Sequence, residues 1–568
     1  MHALLLLPAL LCAAEPADLI VHNARVVTVD SRFSIAQGIA VRQSRIAAVG
    51  TNEAVLALRG PKTRVIDAAG KMVLPGLYDS HVHPLSVVTT ELADPPPVIR
   101  SLEDAFAHYR KQAARTPAGE WLVLRYAFPT RLAEGRFPTL KELDEVAPNH
   151  PVLFHAGPAG MVNSRALEVS KIGPDTPSPR AGMIVKDPKT GKPTGMIRNA
   201  YSTLRNLPRE SDRVTPQARR EGLKRLLARY NEQGLTSIAD RNGSADGLAL
   251  YRELAANEEL TVRVNFAPSF NPQGTREQLV ERLQGMAKKH GKSGTGDDWI
   301  RIGPLKTFLD GGMLNGTAYM RQPWPAGPTY QITESDYRGL LFISPEQIKL
   351  AAEEVARQGW QLTAHTAGEG AMDVLLDAYE HANRFTNIRP LRFCITHANF
   401  PSLINLRRCK ELGVCADVQP AWLYKDGATL ARLLPAERIR WFQPYKSWLQ
   451  YTTIGGGSDH MLRFDPIDST NPWSPWLGIW TALTRKTERA GVLVEEERLT
   501  REQAIRLYTI NNAYLNHEEK LKGSLEVGKL GDLILIDRDV LHCPVDEVRD
   551  TRVLLTVVGG KVVYERKQ

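Results

Sequence analysis

The sequence predicts an α/β protein: a (β/α)8 TIM-like barrel, with a composite β-sandwich side domain built from both chain ends and a large insertion after the first barrel strand. Three observations predict it. Short apolar runs alternate with amphipathic helical stretches through the middle of the chain, as parallel βα architecture requires. Short β-rich runs separated by turn residues occupy both ends. Residues able to ligate a metal close several of the middle runs, at the strand ends where barrel active sites are built.

Taken in order, the elements begin with an apolar run from Leu4 to Leu11, followed by Cys12, Ala13, Ala14 and Glu15. It is too short to span a bilayer. It reads as a signal peptide over 1–14, although the segment before it carries no Lys or Arg, and it predicts a secreted or periplasmic protein. From 17 to 70 the β-rich runs are 19–21, 25–29, 39–41, 45–49 and 64–66; at the far end they are 532–536, 553–558 and 561–564, with Gly559-Gly560 as a hairpin turn. Neither end alone buries an adequate core, so 15–71 and 520–568 are expected to fold together as the side domain. Between them, 72–519 forms the barrel, with strands at 72–78, 236–240, 262–268, 300–309, 361–365, 392–397, 414–418 and 452–455. The first two are separated by far more than one crossover helix needs. The insertion, 84–234, therefore forms a sub-structure of its own, expected to lie over the active face as a lid or pocket wall.

Composition narrows the classes. The 568 residues are 43% hydrophobic and 24% charged, which excludes disorder, collagen and coiled coil. Removal of 1–14 leaves Cys394, Cys409, Cys415 and Cys543 without framework spacing, so buried free thiols are expected, a Cys394–Cys415 disulfide being the alternative. The net charge of +9 is mixed in sign along the chain. The basic cluster Arg219, Arg220, Lys224 and Arg225 lies in a helical pattern and reads as a solvated face rather than a nucleic-acid surface. The expected partner is a small-molecule substrate, with no nucleic acid and no membrane insertion after signal removal; a homo-oligomer is compatible with the sequence.

The chemistry lies at the strand ends. In Gly76-Leu77-Tyr78-Asp79-Ser80-His81-Val82-His83-Pro84, two histidines at i and i+2 point to one face of an extended backbone. A lone H-x-H is weak evidence. But His365 closes 361–365, His397 closes 392–397, and Asp459 follows 452–455 through Gly455-Gly456-Gly457-Ser458, so four strands deliver metal-capable groups to one mouth. Lys306 lies inside the apolar run 300–309, where an ammonium needs pairing, neutralisation or modification. An ion pair with Asp310 or Asp459 is the plain alternative.

With these residues in order, the chain resembles the amidohydrolase superfamily, and within it family 3, the YtcJ-like group that includes N-substituted formamide deformylase. The resemblance is carried by Leu74 to His83, Lys306 with Asp310-Gly311, His365 to Ala371, His397-Ala398, Gly457-Ser458-Asp459, Leu499-Thr500 to Asn511, and Gly523 to Asp532. It implies two divalent metal ions, zinc first among them, with His81 and His83 on one, His365 and His397 on the other, and Asp459 on the first beside the nucleophile. It also implies that Lys306 is N6-carboxylated and bridges the two. The implied reaction is cleavage of a non-peptide C–N bond, in an amide, N-substituted formamide or carbamate, by metal-bound hydroxide with Asp459 as base and then acid. The alternatives are a deaminase or a cyclic amide, lactone or ester hydrolase on the same site, or, in another class, a non-catalytic secreted binding barrel.

Three positions depart from the family pattern: Ala156-Gly157-Pro158 replaces an Asp-Gly-His run, Thr396 replaces an acid, and Glu369 stands for an aspartate. His155, Asp310 and His460 are the candidate substrate-binding residues. Trp324, Trp422, Trp441, Trp473 and Trp476 are expected to line core or pocket rather than a carbohydrate platform.

Overall fold

The computed structural model describes residues 15–93, 95, 97–209 and 213–567; the expected signal segment, 1–14, lies outside the described residues. Two parallel sheets form the centre. One runs Ile300–Ile302, Arg263–Pro268, Leu235–Gly243, Leu77–Val82, and the other Leu305–Phe308, Leu362–Thr366, Cys394–His397, Cys415–Val418, Ile454–Gly456. The expected strand at 300–309 is broken between the two. Gly303-Pro304 interrupts it, because Pro304 has no N–H to donate and a Cβ on Gly303 would lie 2.1 Å from Asn265 Oδ1.

Backbone hydrogen bonds join the sheets at both sides. Phe270 N donates to Lys306 O (2.8 Å) at one seam; Asp459 N donates to His81 O (2.8 Å) and His83 N to His460 O (3.0 Å) at the other. Gly457 permits the second seam, since a Cβ there would lie 2.7 Å from both His81 N and Ser80 Oγ. Helices follow the strands: Ala245–Ala256, Arg276–His290, Pro345–Arg357, Glu369–Asn383, Leu403–Leu412, Pro420–Leu433 and Pro475–Thr484. Several start where the sequence supplies a cap; Ser244, Thr275, Ser344 and Ser402 each accept from the amide three residues on.

The expected first strand, 72–78, divides at Gly76. Met72–Pro75 pairs antiparallel with Leu533–Ile536 and parallel with Arg25–Val27, inside a six-stranded sheet that ends in Val553–Val558 and Lys561–Glu565; only Leu77–Val82 enters the parallel sheet. This sheet shares a core with a second one, Arg45–Gly50, Gly38–Arg42, Leu19–His22, Arg64–Asp67, through Leu19, Val21, Ile39, Val41, Val73, Leu533, Leu555 and Val557. The two chain ends are thus interleaved in one β unit.

The insertion forms a five-stranded sheet, ordered Met183–Lys186, Pro193–Arg198, Ala159–Val162, Val152–Ala156, Leu122–Leu124, flanked by Leu102–Ala113, Leu140–Val146 and Ser164–Val169. Its strands alternate faces: Leu153, Val162 and Ile197 form a core of its own, while Phe154, Met161 and Met196 join the main core. The Arg220 and Lys224 side chains sit in ion pairs with Glu221, Glu253 and Glu259, in keeping with a solvated basic face. The four described cysteines are free, and Cys394 and Cys415 are buried cross-strand neighbours. Among the described residues no helix is long and apolar enough to cross a membrane.

Candidate metal centre

The carboxyl ends of the parallel strands open into a cavity of about 420 Å³, a size suited to a small molecule. Its wall includes His81, His83, Lys306, His365, His397 and Asp459. His81 Nε2 lies 3.3 Å from His83 Nε2 and 3.4 Å from Asp459 Oδ1, and His83 Nε2 is 3.1 Å from the same oxygen. His365 and His397 adjoin them, with ring centroids 4.4 Å apart, and His397 stacks on His81 at 4.9 Å.

Hydrogen bonds dictate which nitrogen of each ring is free to ligate. His81 Nδ1 faces Asp417 Oδ2 at 2.8 Å, and a carboxylate accepts only, so Nδ1 carries the proton and Nε2 keeps its lone pair. His397 Nδ1 donates to Gln419 Oε1 (2.7 Å), which likewise frees Nε2. His365 is the reverse: Nε2 donates to Gly311 O (3.0 Å), leaving Nδ1. Burial holds all three imidazoles neutral, pushing His365 down to about 3 and His81 and His397 well below the ordinary histidine value, with the Lys306 charge adding to this at each. Neutral rings with one lone pair each are the form in which histidine binds a metal.

Lys306 tests the fit of a metal bridge. Its Nζ is buried and has no hydrogen-bond partner, and desolvation drives the amine toward its neutral form. An orphaned amine beside imidazoles and a carboxylate suits conversion to an anionic ligand better than it suits a structural cation. His397 and Asp459 leave their strands with φ of 77° and 55°, a left-handed conformation costing roughly 1–3 kcal/mol per non-glycine residue. Two of the candidate ligands are thus among the residues that hold such a conformation.

The three candidate substrate residues occupy different settings. Asp310 borders the cavity, but its carboxylate accepts from Tyr319 N, Ala367 N and Gly368 N, each at 2.9 Å, and thereby fixes the turn after His365; burial nonetheless raises it to about 7. His155 is not among the lining residues. It stacks on Tyr201 at 4.9 Å behind the Gly157-Pro158 turn, which does line the cavity. His460 is also outside the wall, with both nitrogens engaged, by Tyr230 Oη (2.8 Å) and Arg463 O (2.7 Å). Thr396 Oγ1 pairs with Thr363 Oγ1 at 2.7 Å, and Glu369 faces Arg438 at 3.5 Å. Of the five tryptophans considered above, Trp422 lines the cavity, stacked on His397 at 4.6 Å, whereas Trp324, Trp473 and Trp476 are core.

Sequence reasoning missed four polar residues here. Asp240 and Arg241 end the Leu235–Gly243 strand and line the cavity; burial raises Asp240 to about 6, and Arg241 Nε donates to Ser80 O (2.9 Å). Asp417 and Gln419 end the Cys415–Val418 strand and orient two of the histidines. The signal that singled out His365 and His397, a polar residue closing an apolar run, was present for Asp240, Arg241 and Gln419, whereas Asp417 lies inside its run.

A model of the amidohydrolase family matches residues 64–564. The N-substituted formamide deformylase of Arthrobacter pascens is 30% identical over 563 residues, covering 97% of this chain and 98% of that protein. The putative amidohydrolase YtcJ of Bacillus subtilis (strain 168) is 24% identical, over 96% of this chain and 99% of its own. Among solved structures, an uncharacterized metal-dependent hydrolase from Pyrococcus horikoshii OT3 superposes with a TM-score of 0.66 at 21% identity, covering 93% of this chain and 99% of that one.

Proposed function

The chain belongs to the amidohydrolase family and is a hydrolase acting on carbon–nitrogen bonds, and from that premise we propose that it cleaves a non-peptide C–N bond, in an amide, N-substituted formamide or carbamate, at a centre of two divalent cations. His81, His83 and Asp459 would hold one cation, His365 and His397 the other, with Lys306 between them as its carbamate. The observation that carries this reading is the set of lone pairs: three ring nitrogens freed by defined hydrogen bonds, beside one carboxylate and one orphaned amine. Imidazole and carboxylate donors favour zinc, with manganese, iron and cobalt as the other candidates. When bound, such cations polarise a carbonyl and lower the pKa of water.

The chain's own residues do the rest. Lys306, whose ammonium burial disfavours, would add through its neutral amine to carbon dioxide, releasing a proton and gaining one negative charge shared by two oxygens. Asp459 accepts a proton at its carboxylate and returns it to the departing nitrogen. Asn471 holds that carboxylate in place, donating to Asp459 O (2.6 Å) and lying 3.3 Å from Oδ2. Tyr126, Phe128, Phe308, Phe342 and Trp422 bound the cavity, exclude water and favour an apolar substituent on the substrate.

The two parallel sheets are read here as one closed (β/α)8 barrel, the interleaved chain ends as a β-sandwich side domain with its boundary at Gly76, and 84–234 as an insertion over the barrel mouth. Residues 1–14 are read as an export signal.

Elemental analysis together with Asp459→Asn tests the reading. Two ions per wild-type chain, with turnover of the variant down about 10²- to 10⁴-fold on whichever of an N-formyl, N-acyl amino acid, carbamate and cyclic-amide panel is cleaved, are expected. Near wild-type turnover with metal retained would remove Asp459 from the reaction.

A further inference from the structure

The histidines assigned above to separate cations are tied to one another through a single strand end. Asp417 and Gln419 are fully buried, and neither belongs to the proposed ligand set. Asp417 Oδ2 accepts from His81 Nδ1 (2.8 Å), while its Oδ1 accepts from Ser80 Oγ (2.7 Å) and Gln419 Nε2 (2.9 Å). Gln419 Oε1 then accepts from His397 Nδ1 (2.7 Å).

An amide has one donating and one accepting end. The carboxylate of Asp417 claims the donating end of Gln419, so the accepting end must face His397. Turning the amide over would set oxygen against carboxylate and NH2 against the imidazole N–H. One carboxylate therefore selects the tautomer of both rings, directly at His81 and through the amide at His397. The remaining freedom of the rings is small, because His397 is stacked between His81 at 4.9 Å and Trp422 at 4.6 Å. What the bridge decides is which nitrogen each ring presents.

We infer that Asp417 and Gln419 are positioning residues that couple the two halves of the centre, so that breaking the bridge weakens binding of both cations and not only of the one whose histidine is touched. The inference rests on the binuclear reading above. Partners of this kind are typically worth about 10- to 100-fold in metal affinity.

Zinc titration of chelator-stripped full-length protein by calorimetry, with elemental analysis of the reloaded chain, tests it. Wild-type protein is expected to take up two ions. Gln419→Leu is expected to weaken both by about 10- to 100-fold, and the Asp417→Asn/Gln419→Leu pair to be less than additive, as members of one network are. Gln419→Glu keeps the size and the acceptor for His397 while setting carboxylate against carboxylate, and gives a second variant should the first fold poorly; its defect is also expected on both ions. Nitrogen NMR of the histidines in metal-free protein supplies a readout that a merely structural role would not move: in Gln419→Leu the Nδ1-protonated form of His397 is lost, and in Asp417→Asn that of one of the two rings is lost, because the new amide has a single accepting end to offer to His81 or to Gln419. Fewer than two zinc ions in the wild type overturns the binuclear reading and the coupling with it. Two ions in the wild type, with one lost and the other unchanged in Gln419→Leu, overturns the coupling alone.

Discussion

The molecule carries two β additions, and they are fastened to the central sheets in similar ways with different consequences. The interleaved chain ends are held by a buried bidentate pair: Arg263 Nε and Nη2 meet Asp532 Oδ2 and Oδ1 at 2.7 and 2.9 Å. None of their described residues lines the cavity. The insertion is held by another buried pair, Arg131 with Asp426, at 2.9 and 2.8 Å, but the same guanidinium also reaches Asn471 Oδ1 (2.9 Å), whose amide holds Asp459. Tyr126, Phe128, Gly157 and Pro158 of the insertion stand in the cavity wall. One addition stays clear of the cavity wall, and the other contributes to it.

The largest expected effect sharpens the first half of that contrast. Arg263→Met leaves Asp532 buried without its cation and should destabilise by about 3–5 kcal/mol, read as a fall in melting temperature, while the folded fraction keeps its metal content and specific activity. A loss of specific activity in the folded fraction would break the comparison. On the other side, Asn471→Leu should cost about 1–3 kcal/mol for the unsatisfied groups it leaves and lower kcat by about 10- to 100-fold through misplacement of Asp459, with metal content retained; elemental analysis and steady-state kinetics decide it.

Acid should loosen the insertion. The Arg136 guanidinium, 2.7 and 2.9 Å from Glu142 in the insertion, holds that carboxyl down at about 2 against its ordinary 4.5, with Thr139 assisting. A depressed carboxyl contributes stability that is fully present above about pH 4.5 and is lost as the pH falls toward 2. Because the pair is partly solvated, about 1 kcal/mol is expected. Amide hydrogen exchange across 102–169 should rise in that window, and Glu142→Gln should flatten the dependence. The smallest effect is at the rim. Phe308, 39% exposed, should tolerate Ala within about 0.5 kcal/mol in melting experiments while raising KM for substrates with an apolar substituent.

The candidate residues that line the cavity were legible in the sequence because a His that closes an apolar run, or a Lys inside one, stands out against its neighbours. Asp417 was hidden: it lies inside an apolar run, and nothing in alternation distinguishes a buried polar group with satisfied partners from a boundary. The break at Gly76 was equally hidden. Met72 to Tyr78 is one apolar run, and periodicity reports a strand without reporting which sheet it pairs with. His155 and His460 show the converse limit. Both histidines stand close in sequence to motif residues, yet both rings are stacked on aromatics outside the cavity wall.

Thr130 Oγ1 donates to Asp426 Oδ1 (2.8 Å) beside Arg131, so the dipeptide Thr130-Arg131 plugs the insertion into the helix that follows Gln419. Seen as a cassette, the insertion is exchangeable only together with its socket. A chimera that imports a foreign pocket wall without a threonine–arginine pair, or into a host lacking Asp426 and Asn471, would disconnect Asp459 even with the histidines and Lys306 in place. Grafts that carry the four residues as one unit are the ones expected to change what the cavity admits while leaving its chemistry intact.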